Sequence, residues 1–332
     1  MKCINPTYAY LVGSAPALDG IISPRITFDH REAENYVMRH FPVQFSSNGS
    51  LAPWTIAFPC GRCYNCLTKK KKDMSVRLMH EASQHSECCF ITLTYDNEHL
   101  PSVMCEDGVV RATLVKKHLS AFLKRLRRSL EYHHLGGRFR FFGVGEYGSK
   151  SYRPHYHLLI FGWSPRDVVP LFVRNGKQIS RSLIIEKNWK YGFSTVSGFS
   201  PAVARYCARY CVKKMDDGIA FDALCPVFTI ASNRSGGIGA SWFDAYGVES
   251  CRRGYCTARL GSDRIAKYAI PEYYYRRLRR IDPVAFCEVR DARRQWLLDN
   301  PTDDPYLEHL DHLRYMECRQ YEDRRLSDFE SI

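Results

Sequence analysis

Residues 153–162 constrain the fold of this chain most strongly, because they form an apolar stretch that carries two histidines one residue apart. Side chains alternate across a β-strand, so His155 and His157 are expected on one face of a sheet. Tyr156 and Leu158 then face the opposite side. Two imidazoles on the same face of a strand can share one metal ion.

A second strand is predicted directly before this one, over residues 138–146, and it ends in the carboxylate of Glu146. The turn-prone residues 147–154 fold the two strands into a hairpin, which brings Glu146 beside the histidine pair. Two histidines and one carboxylate with open positions suit a divalent cation that also holds a substrate oxygen. The alternative interpretation is that the histidines are half-exposed residues without a ligand.

A helix is predicted from about residue 201 to 215, because Ser200 suits the N-cap and a proline follows it. Tyr206, Tyr210 and Lys213 then line one helical face. A tyrosine hydroxyl is a poor nucleophile until its pKa is lowered or its target phosphate is polarised, and a metal site with a nearby lysine would supply both conditions. The alternative is that the tyrosines pack in the core.

The order of the remaining elements predicts the fold class. A central strand is expected over residues 88–95, where β-branched and aromatic residues alternate. A helix follows Thr113, with apolar residues every three or four positions at Val115, Leu119, Phe122, Leu126 and Leu130. Strands over residues 182–186 and 193–197 precede the tyrosine helix. The order strand, helix, hairpin, strand, helix fits an antiparallel sheet backed by helices, hence an α+β fold.

Three motifs in this order resemble the replication initiators of small single-stranded DNA phages, the microviruses, and most closely their gokushovirus branch. These proteins belong to the HUH endonucleases. The motifs are residues 90–95 (FITLTY), residues 145–157 (GEYG leading into RPHYH), and Tyr206-x3-Tyr210-x2-Lys213. The resemblance covers roughly residues 55–280, and three ordered motifs are far more specific than one.

The resemblance implies a fold and a chemistry. A central antiparallel sheet would present its histidine face to the tyrosine helix. The implied activity is site-specific nicking and joining of single-stranded DNA by tyrosine transesterification, which starts and ends rolling-circle replication of the phage genome. Tyr206 and Tyr210 would act as nucleophiles, and Lys213 would steady the charge. Mg²⁺ or Mn²⁺ is expected at Glu146, His155 and His157. The expected partners are single-stranded origin DNA, a host helicase and a DNA polymerase.

Two other classes of protein remain open on the sequence. A transposase or relaxase of the HUH group shares the chemistry but not the cysteine motif described next. A non-catalytic, zinc-dependent protein that binds single-stranded DNA would use the histidines and tyrosines as structural residues. Such a protein needs a basic and aromatic surface, but it does not need a carboxylate, two histidines on one face and paired tyrosines together.

Cys60, Cys63 and Cys66 form a Cys-x2-Cys-x2-Cys motif. Three closely spaced thiolates are typical of a tetrahedral zinc site that lacks one ligand. Cys3, isolated near the N-terminus, is the candidate for the fourth. A structural zinc is the first hypothesis, and free thiols or an iron–sulfur cluster are the alternatives.

Charge indicates a polyanionic partner. The 332 residues include 48 Lys and Arg against 35 Asp and Glu, which gives a net charge of +13, so nucleic acid is the expected partner. No apolar run approaches the ~20 residues of a membrane span, and no charged region is followed by an apolar core at the N-terminus. The sequence therefore predicts a cytoplasmic protein without membrane association, whose fourteen cysteines are reduced thiols or metal ligands. It does not predict the oligomeric state.

Aromatic and basic side chains are interleaved after Pro271. The run consists of Tyr273, Tyr274, Tyr275, Arg276, Arg277, Arg279 and Arg280. Because rings stack on unpaired bases while arginines neutralise phosphates, the run suits a single-stranded nucleic acid. Ordinary helix packing with an exposed basic side accounts for it equally well.

Three parts are predicted along the chain. Residues 1–85 form an N-terminal arm with the cysteine motif and a basic helix, residues 86–282 form the HUH endonuclease domain, and residues 283–332 form a C-terminal helical tail. Pro, Gly and Ser interrupt residues 1–55, so irregular chain with one or two short strands is expected there.

Overall fold

The structure, a computed structural model, describes residues 3, 6–16, 22–41, 51, 55–148, 151–174, 176–212, 224–261 and 264–299. The described chain divides into two compact units. One is formed by the chain up to Lys70 together with the chain from Tyr275 onward, and the other is Lys71–Tyr274. Of the predicted C-terminal tail, residues 300–332 lie outside the described residues. The predicted domain boundaries stay predictions.

The first unit contains a three-stranded antiparallel sheet, with the strand order β2-β1-β3. Its elements are β1 (Thr7–Pro16), β2 (Ile22–Thr27), α1 (His30–His40) and β3 (Thr55–Phe58). Asp29 caps α1, because its side chain accepts hydrogen bonds from two backbone N–H groups of the first turn. Ala33 and Val37 of the helix pack with Val12 and Leu51. The prediction of irregular chain was therefore wrong for this segment, whose helix and strands have short, weakly periodic sequences.

The second unit is built on a seven-stranded antiparallel sheet, with the order β12-β7-β8-β4-β11-β10-β9. Its strands are β4 (Cys88–Tyr95), β7 (Arg140–Tyr147), β8 (Pro154–Phe161), β9 (Val168–Arg174), β10 (Lys177–Ser182), β11 (Gly192–Gly198) and β12 (Phe228–Ala231). Two hairpins are separate from it, β5 (Ser102–Met104) with β6 (Val110–Ala112), and β13 (Tyr255–Arg259) with β14 (Ile265–Ala269). β4 lies at the centre of the sheet, as predicted, and the α+β class is confirmed.

The helices complete the architecture. They are α2 (Tyr64–Ala82), α3 (Lys116–Tyr132), α4 (Leu183–Asn188), α5 (Pro201–Arg209), α6 (Ala240–Arg253), α7 (Glu272–Ile281) and α8 (Pro283–Asp299). None of the helices in the described ranges combines the length and apolarity that a membrane crossing requires.

One face of the large sheet is covered by α3 and α4. Leu119 and Phe122 of α3 are fully buried against Leu93 and Tyr156 of the sheet, in one continuous apolar core. Full burial of a side chain of this size contributes about 1.5–3 kcal/mol. The periodicity of α3 thus predicts its buried face correctly.

Two local predictions on this face were wrong. Residues 183–188 form α4 instead of a strand, because the hydroxyl of Ser182 accepts a hydrogen bond from the N–H of Ile185 and starts a helix there. Thr113 does not cap α3, which begins at Lys116. Its hydroxyl accepts instead from the N–H of Cys225, 3.0 Å away.

The tyrosine run after Pro271 is partly internal. Tyr274 is fully buried, and its ring lies near the stacked rings of His80 and Trp242, whose centroids are 3.5 Å apart. Tyr273 packs under the guanidinium of Arg77 and donates to the carbonyl of Gly236. For these two tyrosines, the interpretation as helix packing describes the structure.

Candidate active site

The hairpin of β7 and β8 places the predicted metal ligands side by side. Glu146 pairs directly with His155, and Val144 pairs with His157. His155 and His157 project from the face opposite the α3 core, while Tyr156 lies within that core. The alternation predicted from the sequence is therefore present.

The three side chains converge on one carboxylate oxygen. Glu146 Oε1 lies 2.6 Å from Nε2 of His155 and 2.8 Å from Nε2 of His157. The possible ligand atoms of the cluster lie within 4.8 Å of one another, and both Glu146 and His157 are buried. The structure thus brings together the complete predicted set Glu146, His155 and His157.

Hydrogen bonds at the far side of each ring orient the histidines. Nδ1 of His155 lies 3.1 Å from the carbonyl oxygen of Arg153, and Nδ1 of His157 lies 3.1 Å from Oγ1 of Thr92. A carbonyl oxygen can only accept, so Nδ1 of His155 carries the proton, and its neutral ring presents a lone pair at Nε2. Partners of this kind commonly fix the tautomer of metal-binding histidines.

These contacts show that the cluster fits a divalent cation. A lone pair on Nε2 opposite a carboxylate oxygen at these distances is stable only with a proton or a cation close by. The second oxygen of Glu146, Oε2, is buried and makes no hydrogen bond within the described residues. Because a buried polar atom without a partner is unfavourable, the atom is suited to ligation.

Electrostatics favour the ligating forms of these groups. Burial lowers the pKa of His157, despite the attraction of Glu146. Burial alone would raise the pKa of Glu146, but the charge of and hydrogen bonds with His157 and His155 hold it well below its usual range. Around neutral pH the site therefore offers a carboxylate and neutral imidazole.

Two residues of β4 complete this shell and were not predicted as site residues. Thr92 pairs with His157 across the sheet and contacts its Nδ1, and the ring of Phe90 stacks on His157 with centroids 5.3 Å apart. The alternation of β4 already placed Phe90, Thr92 and Thr94 on one face. The missing signal was the strand register that puts this face beside the histidines.

The tyrosine helix α5 is shorter than predicted. It begins as expected, with the Ser200 hydroxyl accepting from the N–H of Val203, but it ends at Arg209 instead of near residue 215. Its end tightens into turns, in which the N–H groups of residues 210–212 donate to carbonyls three residues earlier. Tyr210 keeps helical backbone angles at the C-cap. Lys213 lies outside the described residues.

Both tyrosine hydroxyls point into the metal-ligand cluster. The hydroxyl of Tyr206 donates to Glu146 Oε1 at 2.7 Å and lies 3.1 Å from Nε2 of His157. The hydroxyl of Tyr210 donates to that of Tyr206 at 3.0 Å. The structure therefore joins Tyr206 and Tyr210 to the predicted ligands in one chain of hydrogen bonds.

Both phenols are protonated in this arrangement. Burial, followed by the negative charge of Glu146, raises the pKa of Tyr206 well above its ordinary value. The same two causes raise the pKa of Tyr210. A nucleophilic role for either tyrosine therefore needs a nearby acceptor for its proton and a positive charge that stabilises the phenolate.

Basic side chains lie beside the tyrosine helix and were not predicted as part of the site. The guanidinium of Arg209 lies 5.8 Å from the ring centroid of Tyr206. The amine of Lys177 donates to the Ser200 hydroxyl at 2.8 Å, and burial together with the positive charge of Arg205 lowers its pKa. Lys177 is on a strand remote in sequence from α5, so only the fold reveals this concentration of positive charge.

The four predicted zinc ligands form a separate cluster in the first unit. The sulfurs of Cys3, Cys60, Cys63 and Cys66 lie within 4.8 Å of one another, and all four residues are half-buried. The Cys3 and Cys63 sulfurs are 3.7 Å apart, close to the roughly 3.8 Å edge of a tetrahedron with zinc–sulfur distances of 2.3 Å. None of these cysteines forms a disulfide.

Backbone N–H groups and burial affect these thiols in opposite directions. The N–H groups of Arg62 and Cys63 point at the Cys60 sulfur and lower its pKa. Burial raises the pKa of Cys66 to about 12. Because a bound cation deprotonates a coordinating thiol, the four sulfurs fit zinc.

Comparisons with known proteins point to phage replication. A family model of replication-associated proteins, described by the name ORF2, matches residues 88–215, the segment that holds β4, the histidine hairpin and the tyrosine helix. Replication-associated protein ORF4 of Chlamydia phage 1 is 32% identical over 259 residues, which cover 74% of this chain and 60% of that protein. No solved structure matches this chain.

Two further relatives have similar names. Replication-associated protein VP4 of Bdellovibrio phage phiMH2K is 31% identical over 226 residues, or 66% of this chain and 67% of that protein. Replication-associated protein ORF2 of Spiroplasma virus 4 is 28% identical over 264 residues, or 75% of this chain and 77% of that protein.

Proposed function

Because the chain belongs to the replication-associated proteins of microviruses, we propose that it nicks and rejoins single-stranded DNA by tyrosine transesterification. Its role is in replication of the phage genome. By this proposal it cuts the origin strand to start rolling-circle replication and joins the product strand to end it. The chain matches only 60% of the length of the Chlamydia phage protein, so the activity proposed here concerns the site described above.

One observation carries the proposal, the position of the Tyr206 hydroxyl within hydrogen-bond reach of Glu146 and His157. A nucleophile beside a group that can accept its proton is the arrangement that covalent catalysis requires. Structural tyrosines in a binding protein have no need of buried metal-ligating residues at their hydroxyl groups. The nicking hypothesis therefore accounts for more of the site than the binding-protein hypothesis.

The cation is proposed to be Mg²⁺ or Mn²⁺, held by Glu146, His155 and His157. When bound, it would polarise the scissile phosphate and stabilise the leaving 3′ oxygen. Imidazole ligands favour Mn²⁺ in a mixture of equal concentrations, and cellular abundance favours Mg²⁺.

The chain's own residues supply the nucleophile and the proton acceptors. The oxygen of Tyr206 forms a bond to the phosphorus as the bond to the 3′ oxygen breaks, and the tyrosine proton passes to Glu146 Oε1 or His157 Nε2. The 3′ oxygen takes up a proton and becomes a free hydroxyl. The 5′ phosphate stays linked to the tyrosine, so the energy of the phosphodiester bond is conserved and no nucleotide cofactor is needed for joining.

Tyr210 provides the second nucleophile. Its hydroxyl lies 3.0 Å from that of Tyr206, so a small movement of DNA or helix exchanges the two at one phosphate. After one circle is copied, the free tyrosine attacks the regenerated junction and releases a 3′ hydroxyl. That hydroxyl attacks the first phosphotyrosine, restores a phosphodiester bond and returns the tyrosine to its free form.

The proposed partners follow from this reaction. Single-stranded origin DNA is the substrate, the released 3′ hydroxyl primes a DNA polymerase, and a host helicase opens the duplex ahead of it. The proposed compartment is the cytoplasm of the host bacterium. A transposase or relaxase of the HUH group would use the same site on different DNA.

The test of the proposal is a single-stranded origin oligonucleotide labelled on the 3′ side of the nick and incubated with the protein and Mn²⁺. The label should migrate with the protein after denaturation, and the released 5′ fragment should be extended by a DNA polymerase. A wild-type protein that binds its own origin strand and yields neither product would favour the binding-protein hypothesis.

We also propose that Cys3, Cys60, Cys63 and Cys66 bind a structural zinc. The distances between their sulfurs support this proposal. Four cysteine ligands leave no open position for a substrate, so this zinc would contribute to folding and not to the chemistry.

A further inference from the structure

An exposed aromatic ring lies on the same face of the large sheet as the metal-ligand cluster. Phe193 of β11 pairs with Thr94, and Thr94 in turn pairs with His155. His155 pairs with Glu146. Residues paired in this way project from the same face, so one row across four strands runs from the carboxylate to the phenyl ring.

The ring is both close to the site and open to solvent. Two strand spacings of about 4.8 Å separate the backbones of Phe193 and His155, roughly 10 Å in all. Phe193 is 68% exposed. The other residues that β11 presents on this face are Thr195 and Ser197, so the ring is not part of a larger apolar patch on this strand.

The backbone around Phe193 is firmly held. Trp189, just before the strand, is buried and donates from Nε1 to the carbonyl of Thr94, and Tyr191 stacks on His118 with centroids 4.0 Å apart. Gly192 has a φ of +140°, and a Cβ atom there would lie 2.2 Å from the N–H nitrogen of Asp96. Only glycine fits such a close approach, so the preceding aromatic residues are fixed in the core while Phe193 is directed outward.

A positive charge lies at the same end of the sheet. The guanidinium of Arg153, two residues before His155, donates to the carbonyl of Tyr95 at 2.8 Å and to Asn97 Oδ1 at 3.0 Å. Both acceptors are uncharged, so the positive charge of Arg153 is not neutralised by these contacts. A phosphate beside a base stacked on Phe193 would meet this charge.

We propose that Phe193 is a stacking platform for an unpaired base of the substrate strand, next to the phosphate that is cut. The proposal rests on the nicking function proposed above. An aromatic ring stacks on any base whose face is free, and this interaction tolerates all sequences. It requires a single strand, because in a duplex the faces of each base are covered by its neighbours. The platform would orient the strand across the sheet toward Tyr206.

The experiment measures the affinity of the full chain for a fluorescein-labelled single-stranded oligonucleotide by anisotropy, in EDTA so that no cleavage occurs. Phe193→Ala should weaken binding by about 10-fold or more, and Phe193→Trp should restore it. The matched control is Tyr132→Ala, which removes an 80% exposed ring from the helix on the opposite face of the sheet and should leave the affinity unchanged. Binding of a duplex of the same sequence should be equal for wild type and Phe193→Ala.

A second measurement reports stacking directly. 2-Aminopurine, placed in turn at each position around the nick, should be quenched on binding at one position by wild type and not by Phe193→Ala. Equal single-strand affinity and equal quenching for the two proteins would overturn the proposal. Failure of the nicking function is a separate result, since a wild type without covalent adduct leaves both binding measurements intact.

Discussion

The hydroxyl of Tyr206 donates a 2.7 Å hydrogen bond to Glu146 Oε1, the oxygen that also lies 2.8 Å from Nε2 of His157. A single carboxylate oxygen thus connects the proposed nucleophile to the proposed metal ligands. It follows that loss of the ligands and loss of the tyrosine should impair the same chemical step by different routes.

Substitution of a ligand should separate chemistry from DNA binding. His157→Ala removes one imidazole from the cluster, so we expect cleavage of single-stranded origin DNA to fall by about 100-fold or more at a fixed Mn²⁺ concentration. Binding of the same oligonucleotide, measured by anisotropy, should remain within a few-fold of wild type. His133→Ala, at an exposed position after α3, is the control. Undiminished cleavage by His157→Ala would rule out the metal assignment.

The hydroxyl of Thr92 should tune the metal affinity through His157. Thr92→Val removes the contact to Nδ1, so the ring loses the partner that fixes its orientation. We expect the Mn²⁺ concentration for half-maximal cleavage to rise by about 10- to 100-fold. Thr92→Ser keeps the hydroxyl and should restore the affinity. If Val and Ser variants behave alike in the Mn²⁺ titration, the hydroxyl does not support the ligand.

The cysteine cluster should contain about one zinc per chain. Elemental analysis of protein purified without added zinc, then dialysed against Mg²⁺, measures it directly. Cys63→Ser should lose the zinc and lower the thermal midpoint, because zinc binding contributes to folding. Cys225→Ser, which changes a thiol outside the cluster, should retain the zinc. A zinc-free wild type with full activity and stability would contradict the proposal.

The buried His80 should make stability depend on pH. Its Nδ1 accepts from the hydroxyl of Tyr274 and its Nε2 donates to the carbonyl of Thr257, and burial lowers its pKa from 6.5 to about 4. The unfolded chain therefore binds a proton at higher pH than the folded chain does. The free energy of unfolding should fall by about 3 kcal/mol as pH drops from 6.5 to about 4, and it should change little from this source above 6.5.

Urea unfolding at a series of pH values measures this effect. His80→Gln keeps a neutral amide at the position, so its stability should be lower overall but should decline less between pH 6.5 and 4. Parallel pH profiles for the two proteins would show that another group causes the decline.

The periodicity of the sequence was sufficient to predict the main parts of the site. Alternation in β8 placed His155 and His157 on one face, and the turn before it brought Glu146 alongside, because both features depend on local geometry. The shared face of Tyr206 and Tyr210 likewise follows from helical spacing. The buried face of α3 was predicted for the same reason.

Features that depend on contacts distant in sequence were missed. Thr92 reaches His157 only through the register of β4 and β8, and Lys177 reaches Ser200 only because the sheet brings β10 under the start of α5. Local capping also misled, since Ser182 starts a helix inside a predicted strand. The tyrosine run after Pro271 could not be assigned to packing or to DNA binding until the burial of Tyr274 was known.

The covalent adduct tests the central claim most directly. Wild type, Tyr206→Phe, Tyr210→Phe and the double variant are each incubated with labelled single-stranded origin DNA and Mn²⁺, and adducts that resist denaturation are separated on a gel. Wild type should form the adduct. Each single variant should retain some of it, or one should lose it if the roles are fixed, and the double variant should form none. An adduct of undiminished yield in the double variant would contradict the account, because the nucleophile would then lie elsewhere.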